Sequence, residues 1–98
     1  MHLPLFLEFE PRISRCLDEA TLGVIRAFVQ QFIEALGRPS HFLCRLRSYG
    51  DDGEYVKVYE KRDFRSPRVC ILHIHPRTLQ VYDAELTVLL TTLLTSSI

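Results

Sequence analysis

The stretch between Pro11 and Pro39 carries more apolar surface than one side of a helix can present to a core, and this constrains the fold more than any other feature. At about 100° per residue, Ile13, Leu17, Ala20, Val24, Phe28, Phe32 and Ala35 form one stripe. Leu22, Ile25, Val29, Ile33 and Leu36 form a second beside it. Together they cover about 220° of the circumference, where a surface helix needs about 100°. One sheet leaves part of that girth bare, so the pattern predicts that a second helix or a second copy of the chain lies against it. The end of the helix is well marked, because Gly37 suits the left-handed position after a helix and Pro39 cannot continue one. The start has two candidates. Asp18 is a cap for a helix over 19–36, and Pro11 suits the first turn of a longer one. Gly23 inside the helix costs roughly 1 kcal/mol against alanine. It fits either an exposed position or a close approach by a second helix.

Elsewhere the period is two. Leu3, Leu5, Leu7 and Phe9 alternate with Pro4, Phe6 and Glu8, which predicts a strand with Pro4 at an edge or at its start. Phe42, Cys44 and Leu46 alternate with Leu43, Arg45 and Arg47. Val56 and Val58 alternate with Tyr55, Lys57, Tyr59 and Lys61, and Val69, Ile71 and His73 alternate with Cys70, Leu72 and Ile74. Leu79–Tyr82 makes a fourth short strand of this group, and polar or Gly/Pro-containing connections between the strands predict an antiparallel meander. Asp83 reads as an N-cap with Glu85 in the first turn. Leu86, Leu89, Leu90, Leu93 and Leu94 then recur at helical spacing. The β-branched Thr87, Thr91, Thr92 and Thr95 leave a strand as the alternative for this tail. The predicted fold is one α+β domain over 1–98 in the order β-α-β-β-β-β-α. It has a four- or five-stranded antiparallel sheet, a long helix after strand 1 and a C-terminal helix.

Ninety-eight residues (11.4 kDa) make one domain rather than two. Twelve basic and twelve acidic residues cancel, which argues against a basic nucleic-acid tail, an acidic disordered segment or simple electrostatic membrane adhesion of the whole chain. No apolar run reaches the roughly 18 residues of a membrane span. Met1–Glu10 lacks a basic n-region and does not read as a signal peptide. Cys16, Cys44 and Cys70 are odd in number, widely spaced and flanked by apolar residues. They predict three reduced core thiols, with an intracellular, cytoplasmic setting.

Strand parity sorts the remaining side chains by face. Phe42, Cys44, Leu46, Val56, Val58, Cys70, Leu72, Ile74, Leu79 and Val81 fall inward. Arg45, Arg47, Tyr49, Tyr55, Lys57, Tyr59, Lys61, Val69, Ile71, His73, His75 and Tyr82 fall outward. Arg38–Arg77 holds nine basic against five acidic residues, a local net charge of +4. Rings beside cations suit a protein interface, and they also suit single-stranded nucleic acid, where rings meet bases and cations meet phosphates. His73 and His75 lie two apart on a strand and project to one side, the geometry of two metal ligands that lack a third of fixed spacing. The carboxylate pairs Asp18–Glu19 and Asp51–Asp52 have local capping and turn roles. No Gly-rich phosphate loop and no nucleophile elbow occurs.

These features predict a non-enzymatic interaction module without cofactor, catalytic or metal residues. It would act as a homodimer that binds a partner protein and does not insert into membranes. Arg45, Arg47, Tyr55, Lys57, Tyr59, Lys61, His73 and His75 are the candidate binding face. Leu22, Ile25, Val29, Leu86, Leu90 and Leu93 are the candidate contact surface between copies. Two alternatives stand beside this reading. One is a single-stranded RNA- or DNA-binding protein using the same face, and the other is a small metal-binding protein or enzyme using His73 and His75.

Overall fold

A computed structural model describes residues 6–93 of the chain. Strand β1 (Phe6–Phe9) is followed by helices α1 (Pro11–Cys16) and α2 (Glu19–Leu36). Strands β2 (His41–Ser48), β3 (Glu54–Lys61), β4 (Val69–Ile74), β5 (Gln80–Tyr82) and β6 (Leu89–Thr92) come next, with one 3-10 turn at Gly50–Asp52. All six strands join one sheet in the order of the chain, β1-β2-β3-β4-β5-β6. Among the described residues, no helix is long and apolar enough to cross a membrane.

Both helix starts are used. Pro11 opens α1, which ends when Leu17 turns extended (φ −108, ψ 145). Asp18 is also extended (φ −71, ψ 163), and its side chain accepts the Thr21 N–H at 2.7 Å. The single long helix is therefore two, because the cap that satisfies the first amides of α2 requires non-helical backbone at Asp18. Gly37 closes α2 in the left-handed conformation (φ 65) and donates its N–H to the Ile33 and Glu34 carbonyls.

The second stripe of α2 lies on the sheet. Ile25, Val29 and Ile33 pack in one core with Phe42, Cys44, Leu46, Val56, Val58, Leu72, Ile74 and Val81, and Ile13 of α1 joins them. Burial of each such side chain contributes roughly 1.5–3 kcal/mol. Leu22, Ile25 and Val29, expected at a contact between copies, are core residues instead, 9%, 0% and 0% exposed. The first stripe divides. Val24, Phe28 and Phe32 are half-buried against the core's margin, and Ala20 and Ala35 are exposed.

The sheet is mixed and six-stranded, not a four- or five-stranded antiparallel one. β1 pairs parallel to β2, from Phe6↔His41 to Phe9↔Cys44, because the intervening helices return the chain to the end where β1 began. The C-terminal helix is replaced by β6. Asp83 does cap, but it caps a turn: its carboxylate accepts from Thr87 N–H (2.7 Å), Thr87 Oγ1 (2.9 Å) and Val88 N–H (3.1 Å). Leu86 takes a left-handed conformation (φ 60) that stops a helix, and the threonine-rich segment then pairs with β5, Gln80↔Thr92 and Val81↔Thr91. Residues 3–5 of the expected first strand and residues 94–98 of the tail lie outside the described residues.

One ion pair sits in the core layer. Glu60 shares the inward parity of Val56 and Val58 and is 5% exposed. Arg38 donates to it twice, at 2.7 and 2.8 Å, and Ser40 Oγ once, at 2.7 Å. Burial works against the charge of Glu60, but these hydrogen bonds outweigh it and hold its pKa below the usual 4.5. The α2–β2 connection is thereby tied to β3.

Gly23 is exposed, and a Cβ built there meets nothing within 4 Å. No close approach inside the described chain accounts for it. Gly23→Ala is expected to raise stability by about 0.5–1 kcal/mol, read as a higher urea midpoint at unchanged m-value.

Candidate interaction face

Helices cover one face of the sheet, and among the described residues no helix or strand lies over the other. Three rows cross it. Leu43, Tyr59 and Cys70 are in register, then Arg45, Lys57, His73 and Tyr82, then Arg47 and Tyr55. A bulge in the β3–β4 ladder at Val58/Tyr59 places Cys70 opposite Tyr59 and Leu72 opposite Val58. The extra residue reverses the parity of early β4. Cys70, expected inward, joins the His73 face (Sγ 3.9 Å from Nδ1), while Ile71, expected outward, packs against the core.

His73 is the anchor of this face. It is 3% exposed, and both ring nitrogens are bonded: Nδ1 lies 3.0 Å from the Asp83 carbonyl and Nε2 lies 2.8 Å from the Tyr49 hydroxyl. A carbonyl only accepts, so Nδ1 carries the proton, Nε2 is the acceptor and Tyr49 donates. One neutral imidazole thus ties the end of β2 and the β5–β6 turn to β4. Tyr55 fills the centre. Its ring centroid lies 5.7 Å from that of Tyr49, 6.1 Å from His73, 5.1 Å from His75 and 6.2 Å from Tyr82, all in edge-to-face contacts. Such pairs add about 0.5–1.5 kcal/mol beyond buried area.

Cations cover the rings. The Lys57 ammonium lies 5.4 Å from the Tyr49 ring centre and 5.3 Å from that of Tyr59, and the Arg45 guanidinium lies 5.7 Å from that of Tyr59. The Tyr49 hydroxyl next to Lys57 raises its pKa above 10.5 against the opposing effect of burial, so it is a cation at neutral pH. Among the described residues, neither Arg45 nor Lys57 has a carboxylate within ion-pair distance.

The structure therefore brings Arg45, Tyr55, Lys57, Tyr59, His73 and His75 together and adds Tyr49 and Tyr82. Arg47 and Lys61 stand at the margins with partners of their own. Arg47 binds Glu10 at 3.2 Å, and Lys61 Nζ donates to the Ser66 carbonyl at 2.7 Å. His73 and His75 share a face without forming a metal pair, because His75 Nδ1 accepts from Arg77 N–H and Thr78 N–H at 3.2 Å each and His73 has no free nitrogen. Among the described residues, no three His, Cys, Asp or Glu side chains are grouped to hold a metal. The contact candidates Leu86, Leu90 and Leu93 end up in the turn before β6, on β6 and just after it. Leu90 is 52% exposed, and Leu93 packs against the core.

The thiols are not three core residues. Cys44 is buried, Cys70 is half-buried and Cys16, the last residue of α1, is exposed. Burial pushes the Cys44 thiol up to about 12 and raises that of Cys70 as well. Cys16 is expected to react quickly with a thiol reagent in the native protein and Cys44 only after unfolding, as read by mass spectrometry of timed samples.

Burial, aided by the nearby Lys57 charge, lowers the pKa of His73 below 6.5 despite the raising effect of the Asp83 carbonyl. Between that lowered value and 6.5 the unfolded chain binds the proton more readily than the native one. The stability His73 contributes is then complete above the unfolded value and declines as pH falls through this window. Urea midpoints measured from about pH 7 to about pH 5 should fall for the wild type. The fall should be shallower for His73→Gln, which starts lower because Tyr49 and the Asp83 carbonyl lose their shared partner.

Compared with known proteins, the chain matches no family model, no curated protein and no solved structure.

Proposed function

We propose that the protein is a non-enzymatic interaction module that binds a partner protein through the open sheet face centred on Arg45, Tyr55, Lys57 and Tyr59. The observation that carries this reading is the condition of the rings. Tyr49, His73 and Tyr82 pack edge to face on Tyr55, Lys57 lies over Tyr49, and both Lys57 and Arg45 lie over Tyr59. A platform for single-stranded nucleic acid needs ring faces free to stack on bases. A protein interface instead favours rigid Tyr and Arg side chains held in place before the partner arrives, because little entropy is then lost on binding. Among the described residues Arg45 and Lys57 have no carboxylate within ion-pair distance, so the complementary partner presents acidic groups beside apolar ones.

Selection of peptides from a displayed random library against the full chain tests this. Enriched sequences should combine acidic and apolar residues. Their affinity should fall by at least about tenfold in Arg45→Glu, in line with loss of an interfacial hot spot. Oligonucleotides should show no binding at low salt. Salt-dependent oligonucleotide binding that is lost in Lys57→Gln would replace this reading with the nucleic-acid one.

A further inference from the structure

The sheet has two edges, and they differ in kind. On β1, Glu8 is exposed and lies 3.4 Å from His41 of β2, and Glu10 follows at the strand's end. On β6 all four residues are exposed, and neighbouring Val88 is 54% exposed. From Leu86 to Ile98 the sequence has no charged residue and no proline. Those are the usual devices that keep an edge strand from pairing with another chain.

The backbone of β6 is set for such pairing. Leu93 N–H donates to the Leu79 carbonyl at 2.8 Å, and Thr92 is opposite Gln80. Gln80 directs its carbonyl the other way, to His75 N–H of the β4 side, at 2.9 Å. In an antiparallel ladder Thr92 must then point its own N–H and C=O away from β5, toward the open edge. The helix layer is asymmetric as well. Arg26 of α2 stands over the Phe9 ring of β1, 5.2 Å from its centre. Val24 and Phe28 are each two residues from Arg26, hence about 200° round the helix. This half-buried flank is on the side of α2 opposite the one that meets β1.

We infer that the protein forms a two-fold dimer by antiparallel pairing of β6 with β6 of a second copy, joining two six-stranded sheets into one. The occupant follows from charge and symmetry. A two-fold axis sets each strand against itself, so any charge near the axis would meet its like. β6 has none, and β1 would bring Glu8 toward Glu8. Pairing of β6 with β1 of the next copy is head-to-tail and leaves an open edge at each end unless many copies close a ring, whereas β6 with β6 closes at two. This inference concerns the edge and stands independently of the partner bound on the sheet face.

Sedimentation of the full chain over a micromolar concentration range, with hydrogen exchange on the same samples, tests it. A discrete dimer is expected, with the Thr92 amide gaining protection as concentration rises. Thr92→Pro removes the outward donor and leaves the bonds to β5 intact, and Leu90→Lys sets like charges across the axis. Both should lose the dimer while keeping the native circular dichroism and the peptide binding of the sheet face. A chain that stays monomeric throughout overturns the inference. So does a dimer whose Thr92 amide stays unprotected, or open-ended association in place of a discrete species.

Discussion

A single helix of ordinary width has to cover the inner face of a wide sheet, and most of the structure follows from that mismatch. Six strands about 4.8 Å apart span roughly 24 Å, while one helix with its side chains is about 10–12 Å across. Ile25, Val29 and Ile33 occupy the middle of the inner face over Phe42, Val56, Val58 and Leu72, and Ile13 of α1 extends the cover. The flanking stripe of Val24, Phe28 and Phe32 is left half-buried, and so are Ile71 and Leu93. The broad apolar girth of α2 is thus the response of one helix to a sheet wider than itself.

Two buried polar links hold the connections that this apolar core does not reach. Glu60, gripped by Arg38 and Ser40, fastens the α2–β2 connection to β3 on the helical side. His73, bonded to Tyr49 and to the Asp83 carbonyl, fastens the end of β2 and the β5–β6 turn on the open side. Every partner in these links is satisfied, and among the described residues no buried side-chain nitrogen or oxygen lacks a hydrogen bond. Satisfied buried polar groups specify one arrangement where apolar contacts alone tolerate several. The open face owes its rigidity to this arrangement, because Tyr49 and His73 stand as two walls around Tyr55.

The two surfaces left over have different chemistry. The open face combines cations with a cluster of rings packed on Tyr55, the basis of the proposed acidic protein partner. At the β6 edge no further strand pairs among the described residues and the side chains are uncharged, which favours another strand of the same kind. A partner on the face and a second copy at the edge do not compete for the same atoms. An assembly with two such faces on one continuous sheet would bind a two-fold partner with the gain that linkage of two sites provides.

Much of the chain was legible from local chemistry. Asp18, Gly37 and Pro39 mark the bounds of α2, and period-two alternation marks β2, β3, β4 and β5. The grouping of Arg45, Tyr55, Lys57 and Tyr59 needs only the alternation of side chains along regular strands. The break between α1 and α2 was half legible, since Pro11 and Asp18 are both valid starts and only the backbone at Leu17 and Asp18 shows that both operate. Where one residue of slippage or one distant partner decides, sequence alone was insufficient. The bulge at Val58/Tyr59 exchanges the faces of Cys70 and Ile71, and no local composition marks it. Leu86–Leu94 carries leucines at helical spacing and β-branched residues between them, so local propensity is divided, and the free edge of β5 resolves it in favour of β6. Helix ends and the faces of the regular strands β2 and β3 depend on residues a few positions apart, which the sequence by itself determined. Register, the parallel pairing of β1 with β2 and the fate of the tail depend on hydrogen bonds between segments tens of residues apart, and only the tertiary structure decided them.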